Sequence, residues 1–170
     1  AMSHKSYRGL IVILLAYLSL GLAYGVILPP FENLDELEHF EVIRYVADTG
    51  RLPVHGASDV QDYRMHQEIS QPPLYYVLSA GLVRLFGFHS TDAPSFWQLN
   101  PRVACGPEAP HQYDNRAVLR HDPHRDAFPW HGALLTLHVL RLFSTCLQAV
   151  TVAGAFALGR RRTRRWAIGS

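Results

Sequence analysis

Cysteine is scarce in this chain of 170 residues, so the fold cannot depend on a disulfide framework. Cys105 lies in a polar stretch and Cys146 lies inside an apolar run. A bond between them would join positions at different depths, and we predict none. The sequence also lacks a C-x-x-C pair, a glycine-rich phosphate loop, a G-x-S-x-G motif and an internal repeat. The short motifs of redox, P-loop and serine-hydrolase sites are therefore missing.

A surplus of charge is also missing, because 16 basic and 14 acidic residues give a formal net charge of +2. The basic residues are concentrated at the two ends, in HKSYR (4 to 8) and RRRTRR (160 to 165). They do not form a continuous binding surface, so no nucleic-acid partner is predicted. Basic clusters that flank apolar segments are typical of membrane topology signals.

The hydrophobic content of 48% is an average over two apolar segments and a polar middle. Residues 10–28 contain no charge, and at about 1.5 Å per residue they match the thickness of a bilayer core. A cleaved signal peptide is the alternative, but the run is longer than a usual signal core and no A-x-A site follows it. We predict a retained transmembrane helix over 10–28, after a cytoplasmic segment at 1–9.

A second apolar segment extends from about Gly132 to Leu158 and ends in GRRRTRR. We predict a second transmembrane helix over 138–158 and a cytoplasmic basic tail over 159–170. The fold class is therefore an all-α integral protein of the cell membrane, with both termini cytoplasmic. Its two transmembrane helices enclose a large extracytoplasmic loop, 29–137, with two juxtamembrane amphipathic helices.

The first of these helices is predicted near 34–48. Asn33 is positioned to cap it, and Glu36 three residues later completes a pattern like a capping box. Gly50 is predicted to end the helix. Apolar residues recur at intervals of three and four, which predicts a helix lying in the membrane interface. This apolar face consists of Leu34, Leu37, Phe40, Ile43, Val46 and Ala47.

The second juxtamembrane helix is predicted near 72–87, where the double proline of QPPLYY suits a first helical turn. Only about ten uncharged residues separate Pro73 from Arg84, too few for a span, so this helix is predicted to lie in the interface or to re-enter. The segments 54–71 and 89–130 lack a sustained apolar period and are predicted to be loops.

Four segments follow one another in a recognisable order: the uncharged first span, NLDELEHFEVIRYVADTGRLP, QPPLYY, and RLFSTCLQAVTVAGAFALGRR. Over about residues 8–162 this order resembles the N-terminal part of the GT-C superfamily of membrane glycosyltransferases. It is most similar to the protein O-mannosyltransferase and aminoarabinose-transferase branches, whose members have many more spans. Individually the motifs are degenerate, and their order and spacing carry the resemblance.

The resemblance implies an enzyme that moves a sugar from a polyprenyl-phosphate carrier to an acceptor on the extracytoplasmic face. The family's catalytic acid, early in the first outside loop, matches Asp35 here, with Glu36 beside it. The residue before the double proline is often Lys or His and is thought to contact phosphate in some branches. Here it is Gln71, which is neutral, so another cation must supply the charge or the contact is lost. Tyr75 belongs to the same motif.

Transfer from a phosphate carrier needs a base for the acceptor hydroxyl and cations for the phosphate. Asp35 fits the base, although an acid at a helix N-terminus also gains about 0.3 to 1 kcal/mol from the helix dipole alone. Arg141 is a candidate phosphate partner, or a side chain that extends to the outer interface. Arg64 is a second candidate, and the sequence does not rank it against Arg44, Arg51 and Arg84.

Metal binding is predicted only weakly. Asp35 and His39, four residues apart on one helix, could share a metal, so a divalent cation is a cofactor that the sequence leaves open. The loop histidines lack paired ligands at zinc spacing and are predicted to lie in a solvated loop. They are His111, His121, His124, His131 and His138.

Two other functions remain open. A non-catalytic two-span protein would bind a partner through its outside loop, with Trp97 or Trp130 in the contact. A metal-dependent hydrolase would use the loop histidines and contain stoichiometric zinc. Ala1-Met2 and Gly169-Ser170 resemble cloning remnants, and the chain is interpreted as the start of a longer protein, inactive as a fragment.

Overall fold

The computed structural model describes residues 4–88, 90–101 and 117–168, and side chains within them from Tyr7 to Arg160. The predicted all-helical class is confirmed for this part of the chain, which is 67% helix and contains no strand. The α-helices and 3₁₀ helices are α1 (His4–Ile27), α2 (Glu36–Thr49), 3₁₀ helices Ser58–Val60 and His66–Ser70, α3 (Leu74–Leu85), 3₁₀ helix Ala93–Phe96, α4 (Pro123–Asp126) and α5 (Gly132–Ile168).

The chain divides into two compact units. The helix-pair unit comprises Ala1–Ile27 and Val139–Ser170, and the loop unit comprises Leu28–His138. Two helical stretches are long and apolar enough to cross a membrane: Tyr7–Ile27, with a mean hydropathy of 2.5, and Gly132–Arg160, with 1.6. The expectation of two long apolar helices is therefore confirmed at the level of length and composition.

In the helix-pair unit, α1 and α5 pack through small and polar side chains. Tyr17 donates a hydrogen bond of 2.6 Å to Gln148. Gly21 lies so close to the Thr145 side chain that a Cβ at position 21 would clash with it. A glycine here allows the close approach of two helices, as small residues do at the interfaces of membrane helices.

In the loop unit, α2 packs against α3. The buried side of α2 includes Phe40, Ile43 and Val46, and the buried side of α3 includes Tyr76 and Val83. The prediction that the apolar face of α2 is free to lie in the membrane interface was therefore wrong. Periodicity indicates that a face is buried but does not identify what covers it, and here much of it is covered by protein.

The sequence predicted the C-terminal end of α2 correctly and its N-terminal cap incorrectly. Gly50 ends the helix with φ 71°, and its N–H donates to the Val46 carbonyl, as predicted. The predicted Asn33 cap was wrong, because Asp35 occupies the N-cap position. Asn33 instead accepts the Glu36 N–H at its backbone oxygen, at 3.2 Å. Leu34, predicted on the apolar face, precedes the helix and is 92% exposed.

Side chains from distant segments cap the other helices of the loop unit. Asp92 accepts the Ala133 N–H at 2.9 Å, which satisfies one of the free amides at the start of α5. The helix therefore begins at Gly132, ahead of the predicted start of the second span at 138. Arg84 donates to the Ala47 carbonyl at 2.6 Å, near the end of α2, and so links α3 to α2.

Candidate functional site

Asp35 and Glu36, the predicted catalytic acids, have different surroundings. Asp35 is exposed, has a left-handed backbone (φ 58°), and its side chain makes no capping hydrogen bond. Glu36 is half-buried and accepts the Phe31 N–H at 3.0 Å. Phe31 is itself left-handed, with φ 61°. Glu36 therefore holds the turn before α2, whereas the Asp35 carboxylate faces solvent.

The predicted phosphate ligands of the loop unit are dispersed. Arg64 is exposed, with its guanidinium 5.6 Å from the Trp97 ring centroid. Gln71 is exposed at the end of the His66–Ser70 helix. Within the described segments, no hydrogen bond or ion pair joins Asp35 to Arg64 or Gln71. Tyr75 is half-buried, and its ring lies 5.8 Å from that of Tyr76.

Arg141 belongs to the helix-pair unit. Its Nη1 donates to the Gly25 carbonyl at 2.9 Å. Gly25 lies in the last turn of α1, where carbonyl groups have no partner within the helix and carry the negative end of its dipole. Arg141 therefore satisfies the C-terminal end of α1, a role that the sequence did not predict.

A buried carboxylate that the sequence missed lies against α2. Glu68 is 2% exposed, and its Oε2 atom is buried without a hydrogen-bond partner. The Nδ1 atom of His39 lies 3.7 Å from this oxygen and 2.8 Å from the Tyr76 hydroxyl. Burial raises the pKa of Tyr76 to about 12, and the charge of Glu68 adds to this effect. We call His39, Glu68 and Tyr76 the Glu68 cluster.

A second acid and histidine pair joins the same two segments. Glu38, in the first turn of α2, lies 3.4 Å from His66. This pair is more exposed than the Glu68 cluster, because its side chains are 25% and 71% exposed. His66 has a positive φ of 38°, which is rare for residues other than glycine. Two acid and histidine pairs therefore link the first turn of α2 to the His66–Ser70 helix. In one pair α2 supplies the histidine, and in the other it supplies the acid.

Arg44, one of the unranked cationic candidates, has a structural partner. It donates hydrogen bonds of 2.9 and 2.7 Å to Glu41, which is fully buried at 0% exposure. Its guanidinium also lies 4.1 Å from the centroid of the Tyr63 ring. Burial raises the pKa of Glu41, while the hydrogen bonds from Arg44 oppose the rise. Arg44 therefore balances a buried charge.

His121 links the two ends of the loop unit. Its Nε2 lies 2.9 Å from Glu32 and its Nδ1 lies 2.9 Å from Asp126. Glu32 also accepts the backbone N–H groups of Val118 and Leu119, at 3.0 and 2.7 Å. The prediction of a solvated loop histidine was wrong at this position, because His121 is only 24% exposed. The contact joins residues 89 positions apart, a separation that no local pattern reveals.

The other loop histidines differ from one another in exposure and in their contacts. His124 and His131 are exposed, as predicted, and His138 stacks on Trp130 with ring centroids 3.5 Å apart. His111 lies outside the described residues. In the described segments, no three His, Cys, Asp or Glu side chains are grouped so as to hold a metal ion.

Glu68 and His66 were missed because they lie in a segment without periodicity or a motif. His39 was singled out for its spacing from Asp35, but its partners come from the His66–Ser70 helix and from α3. For Tyr76 the sequence gave one signal, which is its place in the QPPLYY motif of the family resemblance.

Comparison with protein-family models, curated proteins and solved structures finds no match for this chain. A function must therefore be argued from its own residues and from the motif order described above.

Proposed function

We propose that the chain is a membrane glycosyltransferase, or the N-terminal part of one, which transfers a sugar from a polyprenyl-phosphate carrier to an acceptor on the extracytoplasmic face. Asp35 is the general base in this proposal. Its support is the order of motifs that resembles GT-C enzymes, together with the conformation of Asp35.

The observation that carries the proposal is the unusual state of Asp35. An aspartate at an N-cap normally accepts a hydrogen bond from a backbone amide of the first turn. Asp35 holds a left-handed backbone, a conformation that aspartate adopts more readily than most residues, and its side chain makes no cap bond. Capping by the side chain therefore does not account for an acid at this position, and the carboxylate is left exposed to solvent.

The chemistry follows from this exposed carboxylate. Asp35 takes the proton of the acceptor hydroxyl as its oxygen forms a bond to the anomeric carbon of the sugar. The bond from that carbon to the phosphate oxygen breaks, and the polyprenyl phosphate leaves with the additional negative charge. The residues of the loop unit proposed to contact the phosphate are Arg64, Gln71 and Tyr75, with a divalent cation as an optional cofactor.

The proposed membrane placement suits this chemistry. The end of α1 at Ile27 precedes Asp35 by eight positions, and a chain of this length extends at most about 29 Å. With α1 and α5 as spans and both basic ends in the cytoplasm, Asp35 lies within reach of the outer lipid headgroups of the cell membrane. A carrier with a lipid tail presents its phosphate at that depth.

The alternative proposal, a non-catalytic protein that binds a partner through Trp97 or Trp130, receives less support. The ring centroid of Trp97 lies 5.6 Å from the guanidinium of Arg44 and 5.6 Å from that of Arg64. Trp130 stacks on His138 and packs at right angles to Phe128. Each indole has ring contacts within the loop unit, and the Nε1 atom of Trp97 is buried without a hydrogen-bond partner.

The direct test of the proposal is sugar transfer by the full-length gene product in membrane vesicles. We expect incorporation of a radiolabelled sugar from a polyprenyl-phosphate donor, and none from the corresponding nucleotide sugar. Transfer from the nucleotide sugar in the absence of the lipid-linked donor would contradict the proposed carrier.

A further inference from the structure

We propose that His39 is the hydrogen-bond donor that receives the leaving phosphate, and that buried Glu68 is the positioning residue that keeps His39 oriented. This inference rests on the proposed transferase function and adds to it a phosphate-binding group that the family resemblance does not supply. The ligand is a phosphate group that carries the negative charge released by the sugar transfer.

The first support is the burial of Glu68. A carboxylate removed from water is costly unless an opposite charge or hydrogen bonds compensate it. Glu68 is 2% exposed and its Oε2 atom has no hydrogen-bond partner. The His39 Nδ1 atom lies 3.7 Å from that oxygen. The Nδ1 side of the His39 ring therefore faces the buried carboxylate.

The second support is the orientation of the His39 ring. The Tyr76 hydroxyl lies 2.8 Å from Nδ1, and Tyr76 is 3% exposed, so the packing around it holds this contact. Nε2 is on the opposite side of the imidazole ring. The side chain is 40% exposed, and in the described part of the chain no hydrogen bond involves Nε2. The ring therefore presents Nε2 away from Glu68 and Tyr76.

The third support is the spacing of His39 from Asp35. The His39 N–H donates to the Asp35 carbonyl at 2.9 Å, which is the contact of residues i and i+4 at a helix start. Asp35 is the N-cap residue and His39 lies in the first turn, so both residues stand at the N-terminal end of α2.

In the proposed transfer, Asp35 acts on the acceptor hydroxyl and His39 acts on the leaving phosphate. Asp35 accepts the acceptor's proton as the new carbon–oxygen bond forms. The phosphate oxygen takes the electron pair of the breaking bond to the anomeric carbon, and the Nε2–H of His39 donates to that oxygen. The proton that Asp35 accepts then passes to solvent, and the electron pair of the broken bond leaves with the phosphate, so charge and protons balance.

A phosphate-binding group is needed here because the position before the double proline, a Lys or His in the family that the motif order resembles, is Gln71 in this chain. Arg44 is already paired with Glu41.

Binding of a short-chain polyprenyl monophosphate to the full chain in detergent micelles tests the inference, with inorganic phosphate as a second probe. We expect His39→Gln and Glu68→Gln each to weaken binding of the polyprenyl monophosphate about tenfold. The matched control is His66→Asn, since His66 pairs with Glu38 on the same helix and Asn tolerates its positive φ. This control is expected to bind as the wild type does.

A conservative variant separates positioning from mere structure. Glu68→Asp keeps the carboxylate and should recover part of the affinity that Glu68→Gln loses, and in a Glu68→Gln background the further loss on His39→Gln should be smaller. Circular dichroism establishes whether each variant is folded, and His39→Gln alone carries the test if Glu68→Gln unfolds. Tight binding of inorganic phosphate would indicate a site for free phosphate, and the lipid-linked ligand would be wrong.

The outcomes also distinguish the inference from the proposed function. If the wild type binds polyprenyl monophosphate and both His39→Gln and Glu68→Gln bind it equally well, the role of His39 is wrong and the transferase proposal stands. If the wild type binds no polyprenyl monophosphate, the carrier is wrong and the inference is overturned with it.

Discussion

Asp35→Asn is expected to lower kcat for sugar transfer about 10² to 10⁴-fold, the range that removal of a general base produces. Asn has nearly the same shape as Asp and is among the residues that adopt a left-handed backbone most readily, so the turn at φ 58° is kept. The measurement is the initial rate of transfer by the full-length protein at saturating polyprenyl-phosphate sugar.

Two further variants control this experiment. Glu36→Gln should cause a smaller loss, because Glu36 accepts the Phe31 N–H and holds the turn, and an amide oxygen can still accept that bond. Asp62→Asn removes an exposed acid elsewhere in the loop unit and should leave the rate unchanged. Retained turnover in both Asp35→Asn and Glu36→Gln would eliminate the proposed base.

Glu41→Gln is expected to destabilise the loop unit by about 3 to 5 kcal/mol, because it removes the buried charge that accepts two hydrogen bonds from the partly buried Arg44 and leaves only the longer contact with Asp48, at 3.7 Å. Glu41 is 0% exposed and Arg44 is 13% exposed, so water replaces little of the lost interaction. The double variant Glu41→Leu, Arg44→Met should recover most of that stability, since apolar side chains of similar size need no compensating charge.

The measurement is the free energy of unfolding in detergent, followed by tryptophan fluorescence in a variant that retains Trp97 and has the other two tryptophans replaced by Phe. Trp97 lies 5.6 Å from the Arg44 guanidinium and therefore reports on this region. A loss below about 1 kcal/mol in Glu41→Gln would place the pair among solvent-screened ion pairs and contradict the structural role of Arg44.

The features that the sequence predicted well are local ones. Uncharged runs of apolar residues identified α1 and most of α5, and the glycine at position 50 identified the end of α2. Each depends on neighbours within one or two helical turns, where periodicity and turn chemistry are informative. The double proline located the start of α3 for the same reason.

The features that the sequence missed are contacts between distant residues. The cap of α2 was assigned to Asn33, but the competing interaction of Glu36 with Phe31 sets the turn instead. The apolar face of α2 was assigned to lipid, although α3 covers much of it. Glu68 lies in a segment without a pattern, and its importance becomes visible only when packing against His39 shows that it is buried. For Asp35 the motif order provided the prediction, and its conformation provides the physical support.

The central claim is that the start of α2 lies on the extracytoplasmic side, next to the lipid headgroups. Leu34→Cys tests it most directly, because position 34 adjoins Asp35 and is 92% exposed. The background carries Cys105→Ser and Cys146→Ser, and Ser6→Cys reports the opposite side. A membrane-impermeant maleimide added to intact cells should label Leu34→Cys at once and Ser6→Cys only after permeabilisation. Labelling of Leu34→Cys only after permeabilisation would place the helix in the cytoplasm and contradict the enzymatic account.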